Sequence, residues 1–250
     1  MQIITVSNQK GGVGKSTVAV HQAMDIQEKG KRVLFLDLDP QANATKTLER
    51  IAPAANVTAS QLFTESVEAV EPAEGITLIH ADGAMADIER AEPSVLSTFK
   101  QNLDNLGEAF DYCVIDTPPT LGLRMTAALL VADHVLAPIE LEEYSIDGIT
   151  KMLQTIFGVK EKWNPDLNFL GMLPNRFNPR SLAQKETLTN LVKNYSHLLI
   201  KARIGIRSSI PEALSEGIPV WQLKKTSARE AGREFQEAFA IVYEKMGGLK

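Results

Sequence analysis

One cysteine occurs in 250 residues, Cys113, and it lies inside an apolar run. That scarcity excludes a disulfide framework and leaves too few thiolates for a cysteine-ligated cluster. A small core residue in a reducing cytoplasm is the expectation. No apolar stretch approaches the length of a membrane span, and no charged segment followed by an apolar one precedes the first strand-like residues. The chain therefore reads as soluble and cytoplasmic. It also lacks internal repeats, low-complexity tracts, charge runs and any Pro/Gly/Ser-rich linker. Residues 1–250 are expected to form a single domain, long enough to bury a sizeable core. With a net charge of −5 the whole molecule is no obvious polyanion binder, so any nucleic-acid contact must come from a local patch.

Glycine is concentrated where it matters most. The apolar run Ile3-Ile4-Thr5-Val6 feeds Lys10-Gly11-Gly12-Val13-Gly14-Lys15-Ser16-Thr17, after which helical spacing begins near Lys15. A strand, a glycine-rich turn and a helix N-terminus in that order surround a small concavity with backbone N–H groups, which suits a phosphate. Gly11, Gly12 and Gly14 let the backbone approach phosphate oxygens. Lys15 offers a point charge to the β- and γ-phosphates, and the Ser16 hydroxyl suits Mg²⁺. An ordinary glycine-rich turn would not require Gly-Lys-Ser and a helix in this order. The usual loop, G-x-x-x-x-G-K-[ST], would have glycine at position 9, where Gln9 stands, and Lys10 is an additional cation. Two lysines in one loop repel unless the second meets another negative group, and a neighbouring subunit's nucleotide is one such group.

Val18, Val20, Ala23, Met24 and Ile26 continue the helix, which Gly30 closes. Val33-Leu34-Phe35-Leu36 is a continuous apolar strand ending in Asp37-Leu38-Asp39-Pro40-Gln41. Such runs alternating with helices indicate an α/β fold: a mostly parallel, twisted sheet with helices on both faces. Ligands then sit beyond the carboxyl ends of the strands, where Asp37 and Asp39 fall. A carboxylate there has two readings: a cap for a helix starting at Asn43 and Ala44, or, for Asp39, the group that orients water beside a γ-phosphate. Farther on, Ile76 to Ile79 reads as a strand, and Met85 and Ile88 as part of a short helix. Leu96, Phe99, Leu103, Leu106 and Phe110 form a helical stripe expected to face the core.

Tyr112-Cys113-Val114-Ile115-Asp116-Thr117-Pro118-Pro119 is the second strong signal. An apolar strand delivers Asp116 where it can hold Mg²⁺ through water, before a proline-stiffened loop. A helix through Met125 to Leu130 and a strand from Val135 to Ile139 follow. The acidic loop Glu140-Leu141-Glu142-Glu143-Tyr144-Ser145 reads better as solvated than as a metal site. Leu167 to Leu173 is a strand ending in Pro174-Asn175-Arg176. Between residues 201 and 233 the basic residues are Lys201, Arg203, Arg207, Lys224, Lys225, Arg229 and Arg233, against Glu212, Glu216 and Glu230. Any one of them alone would read as solvated; the cluster reads as a surface for phosphate backbones. Neither aromatic interleaving nor a helix-turn-helix signal accompanies it, so base-specific recognition is not implied. The last helix, carrying Phe235, Ala238, Phe239 and Val242, is expected to pack on the core and stop at Gly247-Gly248.

The K-G-G-V-G-K-[ST]-T form of the loop resembles the deviant Walker A loop of the ParA/MinD ATPases, P-loop NTPases of parallel-sheet fold. The D-x-D-P-Q-x-N-A-T string from Asp37, Ser-Ile-Asp-Gly-Ile from Ser145 and Ile-Pro-Val-Trp from Ile218 extend the likeness over most of the chain. It is closest in look to the short plasmid-partition ATPases of the IncC type and to Soj. The resemblance implies a DNA-partition ATPase that binds ATP and Mg²⁺, dimerises on ATP and binds DNA non-specifically through the basic quarter, associating with the nucleoid. Hydrolysis stimulated by a ParB-like centromere-binding partner then releases it. It implies that Lys10 reaches the partner subunit's ATP and that Asp39 acts in hydrolysis. It further implies that Gly11 to Thr17 bind nucleotide, that Asn175 reads adenine while the segment from Pro211 to Pro219 closes over it, and that Glu142 or Tyr144 lies near the dimer face. The Asn/Thr-Lys-x-Asp signature of GTPases is absent, which favours ATP. Only Leu249-Lys250 follows the last glycines, too little for the membrane helix of MinD relatives. No N-terminal helix-turn-helix extension is expected either, so operator binding is not indicated. Two rivals remain: a ParA-like ATPase that positions a protein cargo, and a metabolic ATP-dependent synthetase on the same fold.

Overall fold

The computed structural model describes residues 1–142 and 145–249, with no account of the side chains at 145–147. Its centre is a six-stranded, all-parallel sheet in the order β3-β2-β4-β1-β5-β6. The strands are β1 (Gln2–Val6), β2 (Val33–Asp37), β3 (Ile76–Ile79), β4 (Tyr112–Asp116), β5 (His134–Glu140) and β6 (Asn168–Asn175). Their side chains alternate between two buried faces. Ile4, Val6, Val33, Phe35, Tyr112 and Val114 join one apolar core, while Ile3, Leu34, Leu36, Cys113 and Ile115 join another. Both faces are covered, which is why these strands are apolar without a polar alternate.

The first core is sealed by α1 (Lys15–Glu28) and α9 (Thr226–Lys245), with α2 (Asn43–Leu48) and α8 (Ser209–Glu216) beside them. The second takes α3 (Gln61–Thr64), α4 (Val95–Leu106) and α5 (Leu123–Val131). A third cluster seats α6 (Ser145–Lys162) and α7 (Leu182–Tyr195) near β5 and β6. The stripe on α4 does face the core, but Phe110 is not on that helix. Gly107 follows its last turn, and Phe110 reaches the same core from the connecting loop. Met85 and Ile88 lie buried on a 3₁₀ helix at 83–90. At the far end, Gly247 (φ 84°) and Gly248 (φ 95°) stop α9, and the Gly248 N–H reaches the Tyr243 carbonyl at 2.8 Å. No helix among the described residues is long and apolar enough to cross a membrane.

Chain direction across the sheet reverses at β1, which lies between β4 and β5: β2 and β3 build outward on one side and β6 on the other. In open parallel sheets that reversal leaves a crevice at the carboxyl ends of the strands. The loops after β1, β2 and β4 meet there. α1 is anchored behind the crevice by His21, whose Nδ1 lies 2.8 Å from the Thr17 carbonyl and whose Nε2 accepts the Val220 N–H at 3.2 Å. Its ring stacks on Phe235 at 4.3 Å.

Burial holds the His21 imidazole neutral, with its pKa lowered from 6.5 to about 4. The folded state then binds fewer protons than the unfolded state between those values, so stability is present above pH 6.5 and lost as pH falls towards 4. Compared with His21→Gln, the wild type is expected to lose roughly 3 kcal/mol over that window, from 1.36 kcal/mol per pKa unit. Denaturant unfolding of both proteins at intervals across it measures the difference. Parallel curves would remove the buried neutral histidine from the account.

Candidate functional site

The loop between β1 and α1 turns where its sequence requires it to. Gly12 (φ 80°) and Gly14 (φ 87°) have left-handed backbones, and Gly14 is the N-cap of α1. A Cβ on Gly14 would sit 2.3 Å from Asn175 Nδ2. Asn175 itself is buried at the end of β6, opposite Glu140 of β5, and donates its amide to the Val13 carbonyl at 2.7 Å. The strand thus runs two residues beyond Leu173, and Asn175 braces the glycine loop from behind. Pro211 is exposed in the first turn of α8.

Three aspartates converge beneath the loop. Asp116 is in register with Asp37 on β2 and with Val6 on β1. Asp37 accepts the Thr45 N–H at 2.9 Å and the Thr45 hydroxyl at 2.8 Å through one oxygen, and the Asp39 N–H at 3.0 Å through the other. It is therefore Asp37 that satisfies the N-terminal turn of α2, whose own N-cap residue, Ala42, has no side-chain acceptor. Asp39 holds the Gln41 N–H at 3.0 Å through Oδ1, and Oδ2 has no partner among the described residues. Asp116 is fully buried, with neither carboxylate oxygen hydrogen-bonded. Burial raises its pKa strongly, and the Asp37 charge raises it further; the Ser16 hydroxyl and Lys15 offset part of this. Asp37 is pushed up to about 6, chiefly by burial.

Lys15 is buried as well, its ammonium 3.2 Å from the Lys10 carbonyl, and desolvation lowers its pKa against the pull of Asp116 and Asp39. A buried cation, orphaned carboxylate oxygens, a hydroxyl and a cradle of backbone amides form a site short of one polyanion and one divalent cation. The residues fit a magnesium nucleotide, and Ser16 and Asp116 are the groups that could hold the cation. Mg²⁺ dehydrates reluctantly, so few protein groups would suffice to hold it.

Lys10 has found a negative group within its own chain. Its ammonium contacts Glu142 at 2.5 Å and Glu140 at 3.9 Å, and Arg176 pairs with Glu140 at 3.1 Å. The acidic loop is thus not merely solvated: Glu140 is largely covered and holds two cations. Tyr144, the other residue expected near a dimer face, lies outside the described residues.

In the C-terminal quarter the basic residues are not equivalent. Arg207 is held by Glu230 at 3.0 Å and Glu234 at 2.6 Å, and Arg233 approaches Glu237 at 3.6 Å. Lys225 pairs with Glu212. Arg203 stacks over the Phe177 ring at 4.9 Å. Lys201, Arg203, Lys224 and Arg229 are exposed and have no carboxylate partner among the described residues. Glu234 and Glu237 lie just past the stretch in which sequence reasoning counted charge. Arg207→Ala is accordingly expected to destabilise the fold by roughly 1–3 kcal/mol, leaving Glu234 poorly paired. Arg229→Ala is expected to shift stability by no more than about 0.5 kcal/mol. Thermal unfolding of the two variants checks this.

His21 drew no attention in the sequence, although its place one turn after Thr17 in a glycine-loop helix was a usable signal. Comparison with known proteins gives a consistent set of relatives. The profile described as an AAA domain matches residues 1–169. Protein IncC of Escherichia coli is 42% identical, the match covering 98% of this chain and 70% of that protein. The chromosome-partitioning ATPase Soj of Thermus thermophilus is 32% identical, with 96% of each chain covered. Among solved structures, cobyrinic acid a,c-diamide synthase from Mycobacterium smegmatis with a bound ATP analogue and magnesium has a TM-score of 0.78 and 30% identity, covering 100% of this chain and 97% of the other. An ATP complex of McdA from Cyanothece has a TM-score of 0.81 at 23% identity, covering 100% and 98%, a likeness of fold.

Proposed function

The chain belongs to the ParA/Soj family of partition ATPases, and from that premise we propose that it is an ATP- and Mg²⁺-dependent ATPase that segregates DNA. The observation that carries the proposal is Asp116: a buried carboxylate with both oxygens unpaired, facing Ser16 and Lys15 at the mouth of the glycine loop. Such a group is costly unless a cation meets it. Gly11 to Thr17 cradle the phosphates, with Lys15 on the β- and γ-oxygens. Ser16 and Asp116 would hold Mg²⁺, which would supply neutralisation of charge developing on the phosphates. Asn175 and the segment from Pro211 border the base. Asp39, its Oδ1 fixed by Gln41, presents Oδ2 to the attacking water.

In the same reading Lys10 leaves Glu142 when two subunits close on ATP, and meets the partner subunit's phosphates. Closure aligns Lys201, Arg203, Lys224 and Arg229 of both subunits into a non-specific DNA surface, with Lys225, Arg233 and the braced Arg207 beside them. A ParB-like protein stimulates turnover and so releases the nucleoid-bound dimer. If closure is required to complete the site, the isolated chain turns over slowly.

One second reading is favoured by a specific observation, the 30% identity to the diamide synthase with an ATP analogue and magnesium. Turnover assays separate the two. Stimulation of ATP hydrolysis by random-sequence duplex together with a ParB-like protein supports partition. Stimulation instead by a carboxylic acid with glutamine or ammonia supports the synthetase. Positioning of a protein cargo uses the same cycle and differs only in the adaptor.

A further inference from the structure

The loop that joins Asp116 to α5, residues 117–122, has little of its own to hold it in place. Pro118 and Pro119 have no N–H, and among the described residues no hydrogen bond is made by residues 118–121. The near end is tied to β1, where the Thr117 hydroxyl donates to the Val6 carbonyl at 3.0 Å. In the middle, Pro119 packs over the glycine loop, its Cβ 3.8 Å from where a Cβ on Gly11 would stand. The far end is gripped by Glu89, from the 3₁₀ helix at 83–90. Its Oε2 accepts the Leu123 N–H at 2.7 Å, and its Oε1 accepts Arg124 Nε at 2.6 Å. The carboxylate lies directly on Gly122, where a Cβ would overlap it. Gly122 is the N-cap of α5 and has no side chain to offer, so Glu89 supplies the missing acceptor from another element. Arg124 is buried with Nη1 unpaired, and its charge depends on Glu89.

The helix that carries Glu89 is itself fixed. Asp82 accepts the Met85 N–H at 3.1 Å and the Ser60 hydroxyl at 2.6 Å, while Met85 and Ile88 are buried. Just before it, the Ala81 N–H donates to the Thr45 hydroxyl at 3.1 Å, which donates in turn to Asp37. A continuous series of contacts therefore joins the loop after β2, which carries Asp39, to the loop after β4. We propose that Glu89 is a positioning residue for ATP hydrolysis. Through Gly122 and the Leu123 N–H it sets the 117–122 loop against the glycine loop, and Arg124 holds the carboxylate in place. This role rests on the ATPase reading. The amides of Gly11 to Thr17 and the Lys15 ammonium do not touch Glu89, so nucleotide still binds when the tether is cut. What is lost is the fraction of time the opposing loop spends in one arrangement, which lowers turnover and spares affinity.

Removing both charges together leaves no orphaned arginine, so the test begins with the double variant Glu89→Ala, Arg124→Leu of the full chain. With duplex and a ParB-like protein present, its kcat is expected to fall by roughly tenfold to a hundredfold, and its Kd for ATP with Mg²⁺ to stay within about twofold. Glu89→Gln, Arg124→Leu keeps an oxygen for the Leu123 N–H and is expected to regain most of the turnover. Gly122→Ala alone is expected to lower kcat, because its Cβ displaces the carboxylate. Added to the Glu89→Ala, Arg124→Leu variant it is expected to cost little more, since the group it would strike is gone. Rates are taken per ATP-binding site, so loss of folded protein does not enter them. Wild-type turnover per site in the Glu89→Ala, Arg124→Leu variant overturns the proposal. So does a glutamine variant no better than the alanine one, or a Gly122→Ala effect that is the same in both backgrounds. A wild type that hydrolyses no ATP overturns the ATPase reading, and the role of Glu89 with it.

Discussion

Asp116→Asn is expected to leave the nucleotide-free protein at least as stable as the wild type, while sharply weakening the Mg²⁺-dependent part of ATP binding. The two halves of this result have one cause. In the free protein both Asp116 oxygens are buried without a hydrogen bond, opposite Asp37 in the sheet register. The carboxylate is disfavoured there, as its raised pKa reflects. Removing the charge removes a destabilising group, and removes with it the group that a cation would meet. Metal affinity is expected to fall by about 10–100-fold, the range seen when groups that orient a metal's ligands are lost. Calorimetric titration of ATP with and without Mg²⁺ measures the second half, and thermal unfolding of the nucleotide-free proteins measures the first. A variant that is less stable but keeps the wild-type Mg²⁺ response would place Asp116 in the core rather than in the site. The neighbouring Asp37, raised from 3.8 to about 6, adds a pH signature. Its contribution to folded-state stability is complete below 3.8 and is lost as pH rises through about 6, so cation binding near neutrality relieves a cost that is absent in acid.

Asp39→Ala is expected to lower ATP turnover by roughly 10²–10⁴-fold, the range for losing a positioned base, with ATP affinity nearly unchanged. The prediction has to be separated from a loop effect, because Asp39 Oδ1 also holds the Gln41 N–H. Asp39→Asn keeps that acceptor and removes the base. If turnover collapses in both variants, the second carboxylate oxygen carries the chemistry. If the asparagine variant turns over normally, Asp39 matters only for the shape of the loop. Single-turnover hydrolysis with duplex and a ParB-like partner present is the measurement.

Why some of this was legible and some was not comes down to the range of the interactions. The glycine loop is a local device: positive φ at Gly12 and Gly14, then a helix N-terminus, all within a few residues of Lys15. The strands ending in Asp37 and Asp116 were equally plain, because apolar runs buried on both faces leave little else to be. The helix-cap reading of a carboxylate at this strand end is met by Asp37: Asp39 is nearer to α2 in sequence, yet Asp37 reaches Thr45. The partners of Lys10 lie 130 and 132 residues away in the chain, and only the β1–β5 pairing brings Glu140 and Glu142 beside the loop. The basic quarter looked uniform because charge was summed along the chain. In space Arg207 is neutralised by a helix face carrying Glu230 and Glu234, while Arg229 on the same helix is exposed. Phe110 matched a helical period by coincidence of spacing while belonging to the same core.

The account's central claim is a nucleotide-controlled switch between a free subunit, with Lys10 held by Glu142, and a closed dimer that grips DNA. Binding to a random-sequence duplex with ATP, ADP or no nucleotide, over a salt series, tests it most directly. The account predicts binding with ATP only, falling steeply with salt as phosphate contacts release counterions, and weakened by Arg229→Ala in a protein of unchanged stability. ATP binding with no DNA binding at any salt would contradict it.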